Sequence, residues 1–205
     1  MTNPRQNDHE TELIQAALMY AKWDWPVLPL KKQSKELLDS VEITDATTDK
    51  NQITQWWSKN PHANVGIKTG RESGIVVLNC DCGEHKDGVQ SMKHLYGYRF
   101  GHDPVSHTPG WGYHIYFNYP ENIDPNELPL PLTYGVDIMS DEHYVVAPPS
   151  IHPSEKKYEW QNKPSQGKLS SLPRWVEAEI MSQVCESPEE QVCDVASAQI
   201  ALSWF

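Results

Sequence analysis

Three stretches of this chain drive polar side chains into apolar strands, and that constrains the fold more than any other feature. Ile75-Val76-Val77-Leu78 runs into Asn79-Cys80-Asp81, His114 stands inside Tyr113-His114-Ile115-Tyr116-Phe117, and Asp137 sits between Val136 and Ile138. An acid inside such a run is costly to desolvate unless something compensates it, and a divalent cation compensates two converging carboxylates. Strand alternation puts residues 79 and 81 on one face and sends Leu78 and Cys80 to the core. If Asp137 arrives from a separate strand, the cleft offers two carboxylates and one amide carbonyl, hard oxygens that suit Mg²⁺ or Mn²⁺. His114 beside them is a phosphate hydrogen-bond donor or a proton-transfer group. Taken singly, His114 reads as a packed histidine and Asp137 as a turn aspartate. The combination carries the chemistry.

The remaining pattern frames these runs as one domain over residues 1–183, followed by an acidic tail or linker over 184–205. Leu13, Ala16, Ala17 and Tyr20 recur at helical spacing, which predicts a helix over residues 9–23. Pro26 and Pro29 then force an extended passage. Asp49 with Gln52 three residues on predicts a capped helix through Ile53, Trp56 and Trp57, with the Trp pair in the core rather than stacked on bases. Strands are expected at Val65–Ile67 and Ile75–Asp81, and a helix at Asp87–Tyr98. A hairpin follows, with arms Val105–Thr108 and Tyr113–Asn118 around Pro109-Gly110-Trp111-Gly112. A proline-rich loop over Pro120–Pro131 leads to Val136–Met139, expected to pair with Tyr144–Ala147 across Ser140-Asp141-Glu142. Ser171 is the expected cap of a last helix carrying Trp175, Val176 and Ile180.

With 38% apolar and 22% charged residues, eight Trp and nine Tyr, the 205-residue chain has the composition of a folded globular domain. No run approaches a membrane span and the start has no signal-peptide pattern, so a cytoplasmic protein without membrane contact is expected. Cys80, Cys82 and His85 are an alternative zinc set, but alternation points both cysteines away from Asp81. The net charge of −11 opposes nonspecific nucleic-acid binding by the surface as a whole. Lys31, Lys32, Lys35, Lys68 and Arg71 nevertheless gather in the first third, either as scattered solvated charges or as a phosphate-facing cluster.

Several collinear stretches together resemble the N-terminal domain of the bifunctional DNA primase/polymerase (prim-pol) family of the archaeo-eukaryotic primase superfamily. They are Ala17–Ala21 with Trp25-Pro26-Val27-Leu28-Pro29-Leu30, Asp45–Asp49 through Trp56-Trp57, Ala63–Ile67 with Thr69-Gly70, and Ser73–Leu78. Gly112–Phe117, Gly135-Val136-Asp137 and Tyr144–Pro153 continue the series. The resemblance implies an α+β fold around an RRM-like sheet. It implies that the positions of Asn79, Asp81 and Asp137 hold Mg²⁺ or Mn²⁺, that His114 meets the phosphates of a nucleoside triphosphate, and that Gly110, Gly112, Ser150, His152 and Lys35 belong to the nucleotide-binding set. It also implies template and primer DNA as partners and places such proteins in mobile genetic elements. The lack of a core pattern after Val184 makes a helicase or other replication module an expected further partner in a longer protein, with a stand-alone remnant as the alternative. The chain departs from the family pattern at Asn79, usually Asp, at Trp111 in the glycine-rich turn, at Met139 where Arg is common, and at Glu142-His143 in place of Gly-Gly. These changes weaken triphosphate binding or catalysis, so a catalytically silent binding module is the alternative reading.

Overall fold

The computed structural model describes residues 4–83, 86–97, 101–121 and 131–186. Helix α1 (Pro4–Lys22) and helix α2 (Lys50–Lys59) lie on a three-stranded antiparallel sheet. That sheet has the order β1 (Val27–Leu30), β2 (Asn64–Lys68), β7 (Tyr144–Ala147). Leu13, Ala17 and Tyr20 of α1 are buried, as their spacing requires. Asp49 caps α2 by accepting the N–H groups of Asn51 and Gln52. Trp57 is fully in the core with its indole N–H donating to the Ala63 carbonyl, and Trp56 packs against the same cluster.

The second sheet carries β3 (Ile75–Cys80), β4 (Val105–His107), β5 (Tyr113–Asn118), β6 (Val136–Met139) and β8 (Glu159–Asn162) in the order β6-β3-β5-β4-β8. The short β9 (Ser170–Ser171) adds parallel to β5, whereas every other pairing in both sheets is antiparallel. Helix α3 (Gly88–Tyr96) and helix α4 (Arg174–Glu186) complete an α+β domain. Alternation along β3 splits the core in two. Ile75 and Val77 face the first sheet and α1, while Val76, Leu78 and Cys80 face a second cluster with Met92 of α3 and Val176 and Ile180 of α4. Both faces of β3 are therefore buried, which accounts for its unbroken apolar run.

Two expectations are corrected. Val136–Met139 and Tyr144–Ala147 do not form a hairpin, because β6 joins β3 in one sheet and β7 joins β2 in the other. The Ser140–His143 crossover is held by β2's own continuation: the Thr69 hydroxyl donates to the Ser140 carbonyl at 2.7 Å and the Thr69 N–H to the His143 carbonyl at 3.0 Å. Ser171 does not cap α4 either. It pairs with Asn118, and the Pro173 carbonyl accepts the N–H groups of Val176 and Glu177 to open the helix. Helix α4 continues to Glu186, past the boundary expected at 183–184. Most of the Pro120–Pro131 loop, Tyr98, His85 and residues 187–205 lie outside the described residues. Among the described residues no helix is long and apolar enough to cross a membrane.

Candidate active site

The register of the second sheet assembles the site around one residue. Asn79 on β3 is directly opposite His114 on β5 and, on its other flank, directly opposite Asp137 on β6. Such cross-strand partners have Cβ atoms roughly 5 Å apart on one face. The Asn79 amide donates to Asp81 Oδ1 at 3.3 Å and also hydrogen-bonds the Asp137 carboxylate. Asp81 lies just past the end of β3, fixed by its own N–H to the Gly135 carbonyl (2.8 Å) and by its carbonyl to the Gly88 N–H (2.9 Å). Gly88 cannot be replaced there without a shift, since a Cβ would stand 2.1 Å from the Gly135 carbonyl oxygen.

Asn79 divides this face into an acidic half and a half made basic by the Lys35 ammonium, where Glu142 is the one carboxylate among the described lining residues. Burial, then repulsion from Asp81, pushes the Asp137 carboxyl up, while Lys86 and Asn79 oppose the rise. Lys86 Nζ stands 3.8 Å from Asp81 Oδ2. On the other side of Asn79, His114 is 7% exposed and its imidazole is driven down to about 4, first by burial and then by the Lys35 ammonium, against a backbone hydrogen bond at Val146. His114 Nδ1 is buried and has no hydrogen-bond partner among the described residues. Its ring stacks at 6.2 Å on that of Tyr158.

Two cavities meet here. One, of about 320 Å³, is lined by Lys35, Asn79, His114, Tyr144 and Tyr158, and the other, of about 500 Å³, by Lys86, Tyr134 and Asp137; Met139 and His143 line both. The sequence-predicted residues thus sort cleanly. Asn79, Asp81, His114, Asp137 and Lys35 come together. His152 stands behind Tyr158, with ring centroids 6.1 Å apart and its Nδ1 on Ser154, and its imidazole is pushed down by burial and by Lys35. Ser150 is elsewhere: fully buried, it accepts the Val65 N–H at 2.8 Å and donates to the Val65 carbonyl at 3.4 Å, extending the β2 ladder. Gly110 and Gly112 line neither cavity. Gly112 answers a packing need, because a Cβ there would stand 2.4 Å from the Cys80 carbonyl oxygen. Of the zinc alternative, Cys80 is buried beside Met92 Sδ, Cys82 is near Asp87, and no group of three or more His, Cys, Asp or Glu able to hold a metal occurs among the described residues.

Tyr158 and Lys86 carry no signal of their own in the sequence, and His143 stands out there only as a departure from the family's Gly-Gly. Tyr158 follows two lysines in a stretch without strand alternation, so only the return of the chain over β5 could reveal it.

The chain belongs to the family of bifunctional DNA primase/polymerase N-terminal domains (Prim-Pol), whose model matches residues 17–175. It is thus a domain of the primase/polymerase nucleotidyltransferase type, in a family that acts on DNA and nucleotides and is generally metal-dependent. Among curated proteins, none matches the chain significantly.

Proposed function

We propose that this domain binds a nucleoside triphosphate in the paired cavities and transfers its nucleotidyl group to a hydroxyl, as a DNA primase/polymerase working with template and primer DNA. The observation that carries the reading is the register that sets His114 and Asp137 on either side of Asn79. The donor set fits a hard divalent cation: two carboxylates and an amide carbonyl, with Asp137 left short of charge compensation by Asp81. Asp81, Asp137 and Asn79 would hold Mg²⁺ or Mn²⁺, which when bound neutralises charge on the attacking and leaving oxygens.

The protein's own residues do the rest. Lys35 and His114 receive the phosphates in the basic half. A polyphosphate offsets Lys35 and favours the imidazolium, so His114 takes up a proton from solvent and its otherwise unpartnered Nδ1–H donates a hydrogen bond to a phosphate oxygen. Tyr158 behind the ring holds its plane. The triphosphate is then oriented for in-line attack of a 3′-hydroxyl on the α-phosphorus; the new P–O bond forms as the bond to pyrophosphate breaks, and the hydroxyl proton is lost to solvent or an acceptor in the cleft.

One observation favours a second reading, a silent nucleotide or nucleic-acid binding module. The Asn79 amide donates to both carboxylates, occupying lone pairs that a cation would use and adding no negative charge. Primer extension with Mg²⁺ or Mn²⁺, run beside nucleotide-binding titrations on wild type, Asn79→Asp and His114→Ala, separates them. Extension by the wild type supports the enzyme. Extension only by Asn79→Asp, with triphosphate binding in both, supports the silent module, and loss of neither binding nor extension in His114→Ala refutes the assignment of the basic half.

A further inference from the structure

The termini of three adjacent strands carry two large exposed aromatics. Asp81 follows the end of β3, and Cys80 is opposite both Tyr113, the first residue of β5, and Val136, the first residue of β6. Strands β5 and β6 both run antiparallel to β3, so the turns that precede them project from the same sheet end as Asp81. Trp111 stands two residues before β5 and is 77% exposed; Tyr134 stands two residues before β6 and is 64% exposed. With neighbouring strands about 4.8 Å apart, the two turns flank the carboxylates at a separation of roughly 10 Å.

Both rings present most of their surface to solvent. Trp111 leaves most of its area in solvent, and it holds a left-handed backbone (φ 68°) that bulky residues rarely adopt. The ammonium of Lys156 lies 5.5 Å from its ring centroid, and Tyr134 lines the cavity that holds Lys86 and Asp137. Trp111 is therefore next to a cation, and Tyr134 shares a cavity with one. A lone surface Trp beside a lysine is unremarkable; a Trp–lysine pair and an exposed Tyr on a cavity that also holds a lysine, on turns from one end of the sheet, are matched to a polymer that alternates π-faces with phosphates.

We propose that Trp111 and Tyr134 form a stacking platform for single-stranded nucleic acid, holding unpaired bases across the rim while Lys156 and Lys86 meet the backbone. Bases stack on aromatic faces irrespective of sequence, and a gap of roughly 10 Å accommodates about three nucleotides at 3.4 Å each. The inference rests on the groove being a nucleotidyl-transfer site only for where the strand leads. With the rest of the surface acidic, stacking rather than charge sets the affinity. Two lysine–phosphate contacts give a slope of log affinity on log salt of about −1.5.

The test compares a fluorescein-labelled dT12 strand with an abasic strand of equal length and charge, by fluorescence anisotropy on the full chain. The wild type is expected to favour dT12 by about tenfold or more. Trp111→Ala and Tyr134→Ala each lose most of that preference with unchanged melting temperatures, and Trp111→Phe keeps it. Equal binding of the two strands, no binding of dT12, or a preference untouched in Trp111→Ala overturns the proposal, a protein-docking patch then being the use of these rings. Titration with a deoxynucleoside triphosphate keeps the two readings apart. Normal triphosphate binding without base preference sinks this inference alone, whereas base preference without triphosphate binding sinks the groove assignment alone.

Discussion

Asn79→Asp tests the centre of the site without relying on catalysis. In the native arrangement the Asn79 amide donates to Asp81 and Asp137, and hydrogen bonds to charged acceptors contribute about 1.5–3 kcal/mol. The substitution removes both and sets a third carboxylate between two others at cross-strand distance. A like-charge pair about 5 Å apart costs about 3 kcal/mol at an effective dielectric of about 20, and solvent around half-exposed Asp81 reduces that substantially. Together these predict a metal-free variant about 2–4 kcal/mol less stable, which lowers the melting temperature of a fold this size by roughly 5–15 °C. A divalent ion binding the folded state at a hundred times its dissociation constant returns about 2.7 kcal/mol. Thermal melts in EDTA and in Mn²⁺ should show the variant low without metal and recovering with it, by more than the wild type gains. If Asn79→Asp melts with the wild type in EDTA, or Mn²⁺ shifts both equally, the three side chains do not share a cation-receptive pocket.

Two further predictions address neighbouring groups. Ser150→Ala leaves a buried Val65 N–H without its acceptor and should cost about 1–3 kcal/mol in urea unfolding with triphosphate affinity intact; the opposite pattern, stability kept and affinity lost, would return Ser150 to the binding site. His114 should make the fold acid-sensitive. Its imidazole titrates at about 4 when folded against 6.5 when free, so between those values the unfolded chain binds a proton that the native one refuses. The stabilisation is complete above pH 6.5 and fades as pH falls toward 4, by roughly 3 kcal/mol in all. His114→Gln should remove that part of the pH dependence, and urea curves at pH 7 and pH 4.5 that differ equally for both proteins would refute it.

How much of this was readable in advance follows from the range of the forces involved. Local periodicity and capping gave α1, α2 and the split faces of β3, because Leu13, Asp49 and the Ile75–Cys80 run each act within a few residues. Strand partnership is a long-range choice, and the short Ser140–Glu142 connection looked like a hairpin until the unpaired edges of β3 and β2 competed for the two strands. Ser150 illustrates a related point: a serine beside family-like residues says nothing of whether its hydroxyl faces a ligand or a backbone ladder, and here it bonds the Val65 backbone. Asn79, Asp81, His114 and Asp137 converge because the sheet register forces them together, and each was visible as a polar residue in an apolar run.

The same register explains how binding and turnover can separate in this domain. The basic half depends on β5, on the Lys35 segment and on Tyr158, whereas the acidic half depends on β6 and the Gly88–Gly135 approach; Asn79 is where the two halves join. Its amide is neutral toward phosphates but directly quenches the carboxylate pair. On the proposed function, a change from acid to amide at this position would fall mainly on the cation, and a polyphosphate would still find Lys35 and His114. On that same reading, loss of charge at the residue that faces both His114 and Asp137 would thus be the smallest step by which such a fold could give up chemistry and retain its ligand.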